Sequence, residues 1–416
     1  MTSEYLVTLG QEAKKAERKL RTLPTGQKNR ALNQMAAALR QVQADILKAN
    51  QIDLEAGATK GLSAAFLERL TLTPERIEAM AQGLESIAAL PDPLQKIDQA
   101  WQTDDGLWIS RKRVPLGVIG IIYESRPNVT VDATALCLKA GNAVILRGGR
   151  DALQSNMAIM KVLRQALSQA NLDPNFVQMI DKPDHSLAKE FMQLNDYVDC
   201  LIPRGGAGLI QNVIKHATVP VIETGVGNCH LYIHQAADIA KARQILENGK
   251  LQRVSVCNAL ESLLIDAAIV EQLPDLVAGL IQAGVEIRGN QKVCQFVPQA
   301  TSASESDYAR EFNDYILSVK VVDDYQAAID HIDRYSTGHS EAIVTEDYQV
   351  AENFLADVDA AAVYVNASTR FTDGQMFGFG GEIGISTQKL HARGPMGLDA
   401  LTSYKYQVRG QGQVRS

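Results

Sequence analysis

The sequence predicts an α/β protein with two successive units, each an open parallel sheet. Three observations carry this. From Val114 onward, short β-branched runs alternate with helical segments of ten to twenty residues, a spacing that parallel pairing requires. The alternation pauses around residues 254–257 and resumes from Ala259. The first hundred residues, by contrast, carry helical periodicity only.

The elements follow in order. Residues 27–50 place Leu32, Met35, Leu39, Val42 and Ile46 at helical spacing, which predicts one helix. Thr73-Pro74-Glu75 supplies an N-cap, a proline at the first helical position and an acid for the dipole. Ile77, Met80, Leu84 and Ile87 then form an apolar face. Residues 101–113, centred on Asp104-Asp105-Gly106, predict a hairpin outside the repeated units. Strands are then expected at 114–123, 143–146, 176–180, 197–202, 219–223 and 230–234, with helices at 131–140, 152–170, 184–194 and 208–216 between them. Helix 236–249 leads to the pause. Beyond it come strands at 259–265, 285–289, 315–322, 341–346 and 361–366, with helices between them. The glycine-rich last fifty residues are expected to wrap back across other parts of the protein.

With 416 residues the chain suits two or three domains. A formal charge of −7 leaves no global basic field for nucleic acid. No apolar run approaches the ~20 residues of a membrane helix, and the first twenty residues hold no secretory stretch, so a cytoplasmic location is expected. The five cysteines, 137, 200, 229, 257 and 294, include no CxxC pair, so no metal site is expected, and scattered thiols read as reduced.

Four segments carry chemistry. In 144–151, VILRGGRD, a strand ends in Arg147-Gly148-Gly149-Arg150 before a helix, where open α/β sheets bind ligands. Glycines allow close approach, and the arginines can reach a phosphate; the alternative is a solvated turn. In 202–210, IPRGGAGLI, the pattern repeats with Arg204-Gly205-Gly206. Two such turns on one sheet suggest a nucleotide groove, and arginine at both strand ends favours the 2′-phosphate of NADP. In 221–230, VIETGVGNCH, Glu223 enters a glycine-rich loop, as an active-site carboxylate or a merely exposed glutamate. In 251–265, Cys257 sits in a polar pause between helix and strand, a place for a reactive thiol rather than a packed one.

Several long motifs resemble one family: YESRPNVTVDA (123–133), LQRVSVCNALE (251–261), VDDYQAAIDHIDRYSTGHSEAI (322–343), VNASTRFTDG (365–374) and IGISTQKLHARGPMGLDALTSYKY (383–406). The chain resembles the gamma-glutamyl phosphate reductases, within the aldehyde dehydrogenase superfamily, over essentially its whole length. The resemblance implies an aldehyde dehydrogenase-like fold. The expected parts are a nucleotide-binding domain (1–100 and 114–250), a catalytic domain (251–366), a segment returning to the first (367–399) and an oligomerisation arm (101–113 and 400–416). It implies NADPH as cofactor, L-glutamyl 5-phosphate as substrate, a homo-oligomer, and a possible complex with glutamate 5-kinase. Cys257 would be the nucleophile, passing through a thioester to glutamate 5-semialdehyde. Arg147 would inherit a cofactor role, and Glu223 stands where hydrolytic relatives keep a water-activating glutamate. Where those relatives hold the oxyanion with asparagine, this chain reads Glu124-Ser125-Arg126-Pro127-Asn128, which makes Asn128 the candidate. Arg126 and Arg370 are candidates for the substrate's phosphate or carboxylate. The rival reading is a hydrolytic NAD(P)-dependent aldehyde dehydrogenase.

Overall fold

Strands buried on both faces read as continuous apolar runs, and the strand Val118–Tyr123 is buried at all six positions. Ala143–Arg147 is buried at all but its last residue. The computed structural model describes residues 3–415, so Met1, Thr2 and Ser416 lie outside it. Two units emerge, one of residues 1–224, 378–384 and 396–416, the other of 225–377 and 385–395.

In the first unit four parallel strands lie in the order Val177–Met179, Ala143–Arg147, Val118–Tyr123, Cys200–Arg204. Helices Thr25–Gln41 and Pro74–Ala89 bury the apolar faces expected of them, including Leu32, Met35, Ile77 and Leu84. Thr73 caps the second by accepting from the Arg76 N–H. The single helix expected over 27–50 is two, Thr25–Gln41 and Gln43–Thr59, because Val42 leaves helical geometry at φ −106°, ψ 20°. Apolar spacing continues across this break, so periodicity alone could not reveal it.

The strand expected at 219–223 is reduced to a bridge between Leu201 and Val221. Pro220 offers a carbonyl to the Leu201 N–H at 2.8 Å but has no N–H of its own to extend a ladder. Ile97–Gln102 and Trp108–Pro115 form the expected hairpin, its turn completed by Gly106 at φ +84°. Thr402–Arg409 pairs antiparallel with the second of these strands. The hairpin and the C-terminal segment therefore share one three-stranded sheet.

The second unit is a seven-stranded sheet with every pair parallel: Thr301–Ser302, Glu286–Gly289, Ile316–Val322, Leu260–Asp266, Cys229–Ile233, Ser340–Val344, Ala362–Val365. Its core packs Leu231, Leu246, Leu263, Leu276 and Val319 together. Cys229–Ile233 is central here, which moves the boundary from the expected 250 back to Thr224. The segment expected to return as one piece over 367–399 divides: 378–384 belongs to the first unit and 385–395 to the second. Among the described residues, no helix is long and apolar enough to cross a membrane.

Candidate active site

In the first unit, register delivers both arginine–glycine turns to one end of the sheet. Ile122 pairs with Arg147 and Tyr123 with Arg204, so the central strand ends between the two arginines. Arg147, Gly148, Gly149 and Arg150 line a cavity of about 130 Å³ together with Tyr123, Glu124 and Lys182. Arg147 donates to the Asp184 carbonyl at 2.8 Å. Its Nε is buried without a hydrogen-bond partner among the described residues. Burial lowers the pKa of this guanidinium, an expense that a bound anion would offset.

Gly148 is a requirement of this geometry: a Cβ there would lie 2.3 Å from Asn156 Nδ2 and 3.2 Å from the Tyr123 ring. Arg204, Gly205 and Gly206 are not in the cavity wall. Glu124 ties them to it: its carboxylate accepts from the Gly206 N–H at 2.8 Å, and a Cβ on Gly205 would come within 2.6 Å of it. Sequence reasoning gave Glu124 no task of its own, because the 82 residues between it and Gly206 are bridged only by the sheet.

Asn128 opens the helix Asn128–Lys139 and donates to Asp132 at 3.0 Å. Burial pushes the Asp132 carboxyl up to about 6, partly opposed by Asn128 and Arg204. Sequence reasoning did not single out Asp132. Arg126 sits two residues before Asn128, its N–H turned onto the Glu124 carbonyl. Glu223 is half-buried and ends the first unit's main segment, beside Thr224, whose hydroxyl donates to the Pro203 carbonyl at 2.7 Å.

In the second unit Cys257 lies in a turn between helix Ile239–Leu251 and strand Leu260–Asp266. It is half-buried, whereas Cys137, Cys200 and Cys229 are buried. Burial drives the thiols of all three buried cysteines up, Cys200 to about 12, which makes them inert. Cys294, also half-buried, sits on the short helix Gln291–Phe296.

The turn around Cys257 is held from several sides. Cys229 Sγ donates to the Cys257 carbonyl at 3.2 Å. Asn258 donates to the Thr372 carbonyl at 2.9 Å, and Thr369 returns a hydrogen bond to the Asn258 carbonyl at 2.8 Å. These bonds bring Arg370 beside Cys257; burial lowers its pKa and Cys257 opposes that shift. Arg370 Nε donates to Gln252 at 2.9 Å. Of the expected residues in this unit, Cys257 and Arg370 are therefore brought together.

Gly227 was not anticipated as a site residue. Its N–H donates to Glu311 at 2.9 Å, and a Cβ would fall 1.5 Å from the Cys257 carbonyl oxygen. No rotamer relieves a clash with backbone, so Gly227→Ala must move the turn. The expected result is a loss of about 1–3 kcal/mol in stability and roughly 10²-fold in kcat/KM from misplacing the thiol. Denaturant unfolding and steady-state assays of the variant check both.

The sequence profile of the aldehyde dehydrogenase family matches residues 2–315 and 310–406. A curated relative from Lactiplantibacillus plantarum, named gamma-glutamyl phosphate reductase, is 55% identical over 411 residues, covering 99% of each chain. One of the same name from Moorella thermoacetica is 55% identical over 409 residues, covering 98% of each. The crystal structure of gamma-glutamyl phosphate reductase from Thermotoga maritima superposes with a TM-score of 0.96 at 48% identity, covering 99% of this chain and 100% of that one. The fold is aldehyde dehydrogenase-like, and the chain belongs to the aldehyde dehydrogenase family, among its gamma-glutamyl phosphate reductases.

Proposed function

We propose that this protein reduces L-glutamyl 5-phosphate to L-glutamate 5-semialdehyde with NADPH, releasing phosphate through a thioester on Cys257, as a step of proline biosynthesis. The observation that carries the reading is the half-buried Cys257 held in a braced turn beside Arg370, while three other thiols are buried beyond reach. The relatives named gamma-glutamyl phosphate reductase supply the substrate class.

The Cys257 thiolate attacks the acyl carbon; the C–S bond forms as the C–O bond to phosphate breaks, and phosphate leaves with the electron pair. A neighbouring guanidinium favours thiolate over thiol, which is the role assigned to Arg370 alongside binding the substrate's phosphate or carboxylate. Backbone N–H groups of the Cys257 turn are assigned to the oxyanion. The aldehyde dehydrogenase family implies a nicotinamide cofactor, and the cavity fits its anionic part: Arg147, Arg150 and Lys182 supply cations around glycines that admit close backbone approach. Bound there, the cofactor supplies the hydride that takes the acyl group to the aldehyde level. Collapse of the thiohemiacetal on Cys257 then frees the semialdehyde and restores the thiolate.

In this reading Arg204, Gly205 and Gly206 frame the cofactor's second side, and Arg126, Asn128 and Glu223 are secondary candidates for substrate and oxyanion. The three-stranded sheet serves self-association, and glutamate 5-kinase is the partner that makes the labile acyl phosphate.

The test runs the reaction backwards. Purified protein with glutamate semialdehyde and NADP⁺ should form NADPH only when phosphate is present, because phosphate must cleave the thioester. Formation of NADPH without phosphate would sink this reading in favour of a hydrolytic dehydrogenase, with Glu223 as its base.

A further inference from the structure

The largest concentration of positive charge in the first unit lies away from the Arg147 cavity. A cleft of about 600 Å³ is lined by the end of helix Glu4–Leu20, residues 92–95 and the strands Trp108–Pro115 and Thr402–Arg409. It shares no lining residue with the Arg147 cavity. Seven cationic side chains face three carboxylates in its wall, in a chain whose net charge is −7.

Each of the three carboxylates is already engaged. Glu17 pairs with Arg21, Asp92 with the fully buried Lys28 at 2.5 Å, and Asp199 with Lys14 at 2.7 Å. Asp92 also accepts from Thr25, and Asp199 from the Val118 N–H. Arg113 is satisfied by Asp98 at 3.0 Å. Arg18, Lys112 and Lys405 remain, with no ion pair among the described residues.

Lys112 and Lys405 stand directly opposite each other across the antiparallel ladder, an arrangement that destabilises a sheet. Arg18 follows Lys14 by one helical turn, another like-charge neighbour. The helix dipole accounts for cations near the end of Glu4–Leu20; it does not account for two opposed lysines on a strand pair. Cations held together without counter-charge are stabilised when an anion with several acceptor oxygens sits among them. The volume lies within the range of small-molecule sites.

We propose that this cleft is a second ligand site, which takes a small polyanion of the oligophosphate class through Arg18, Lys112 and Lys405. A nucleoside triphosphate and inorganic tripolyphosphate share that chemistry, and the two are separate arms of the test.

Titration calorimetry with tripolyphosphate and with ATP, at about 0.15 M salt and with saturating NADP⁺ filling the other cavity, reads the site directly. One equivalent of tripolyphosphate should bind. Tighter binding of ATP would assign a nucleotide, and equal binding the phosphate chain alone. In the double variant Arg18→Gln, Lys405→Gln, two exposed positions, binding should weaken by about tenfold or more for each cation removed. The KM for cofactor should not move. The proposal is overturned if neither probe binds in the presence of NADP⁺ or if the double variant binds as tightly as the parent. It is equally overturned if the substitutions change the oligomeric mass, which would mean that a second copy of the chain covers the cleft.

Discussion

Cys257→Ser should abolish phosphate-dependent NADPH formation, with a loss on the order of 10³-fold or more, as expected when a covalent nucleophile is removed. Serine keeps the shape of the side chain, so the turn held by Cys229, Asn258 and Thr369 should persist. What goes is the thiolate: a serine hydroxyl is not ionised near neutral pH, and its ester accepts hydride less readily than a thioester. Cofactor binding, measured by fluorescence titration, should stay at the parent level because Arg147 and its cavity belong to the first unit. Iodoacetamide labelling supplies a parallel readout. Rapid modification should map to Cys257 and vanish in the variant, while Cys137, Cys200 and Cys229, buried and driven up in pKa, react slowly. Full activity in Cys257→Ser would remove the thioester mechanism altogether.

The second large effect is on stability. Lys250 and Glu261 form an ion pair at 2.8 Å with both side chains fully buried. Lys250 also donates to the Leu260 carbonyl at 2.9 Å, and Glu261 accepts from the Asn313 N–H at 2.9 Å. Burial lowers the lysine and raises the glutamate, each charge being kept by the other. Lys250→Ala should therefore cost about 3–5 kcal/mol, since it leaves a carboxylate in an apolar interior without its partner. The double variant Lys250→Met, Glu261→Gln should recover most of that loss, because it removes both charges and keeps an acceptor for Asn313. Urea unfolding of the three proteins checks this. A single variant as stable as the parent would show that the pair does not hold the start of the strand that follows Cys257.

Much of this architecture is legible locally. Thr73-Pro74-Glu75 announces a helix start, Asp104-Asp105-Gly106 a hairpin, and runs such as 118–123 a buried parallel strand, because each is a statement about neighbouring residues. Cys257 was legible for the same reason, as a thiol in a polar gap between a helix and a strand. The glycine turns after Arg147 and Arg204 were visible too, though the common end they share depends on which strand lies between them.

Other features were not legible, and the failures have distinct causes. The break at Val42 is silent because apolar spacing runs through it. Pro220 spoils a strand that its neighbours favour. The unit boundary falls at Thr224 because Cys229–Ile233 finds its hydrogen bonds with Leu260–Asp266 and Ser340–Val344, a choice made by sheet order rather than by composition. Glu124 capping Gly206, Glu311 holding Gly227 and Lys250 facing Glu261 likewise exist only once strands are ranked side by side. The sequence by itself determined the fold class, the nucleophile and the phosphate-binding turns, since propensity, periodicity and turn chemistry act within a few residues. Only the tertiary structure decided which distant carboxylates, glycines and cations meet, because such contacts follow from strand order and close packing, and a buried charge or a missing Cβ acquires its meaning from the atoms opposite it.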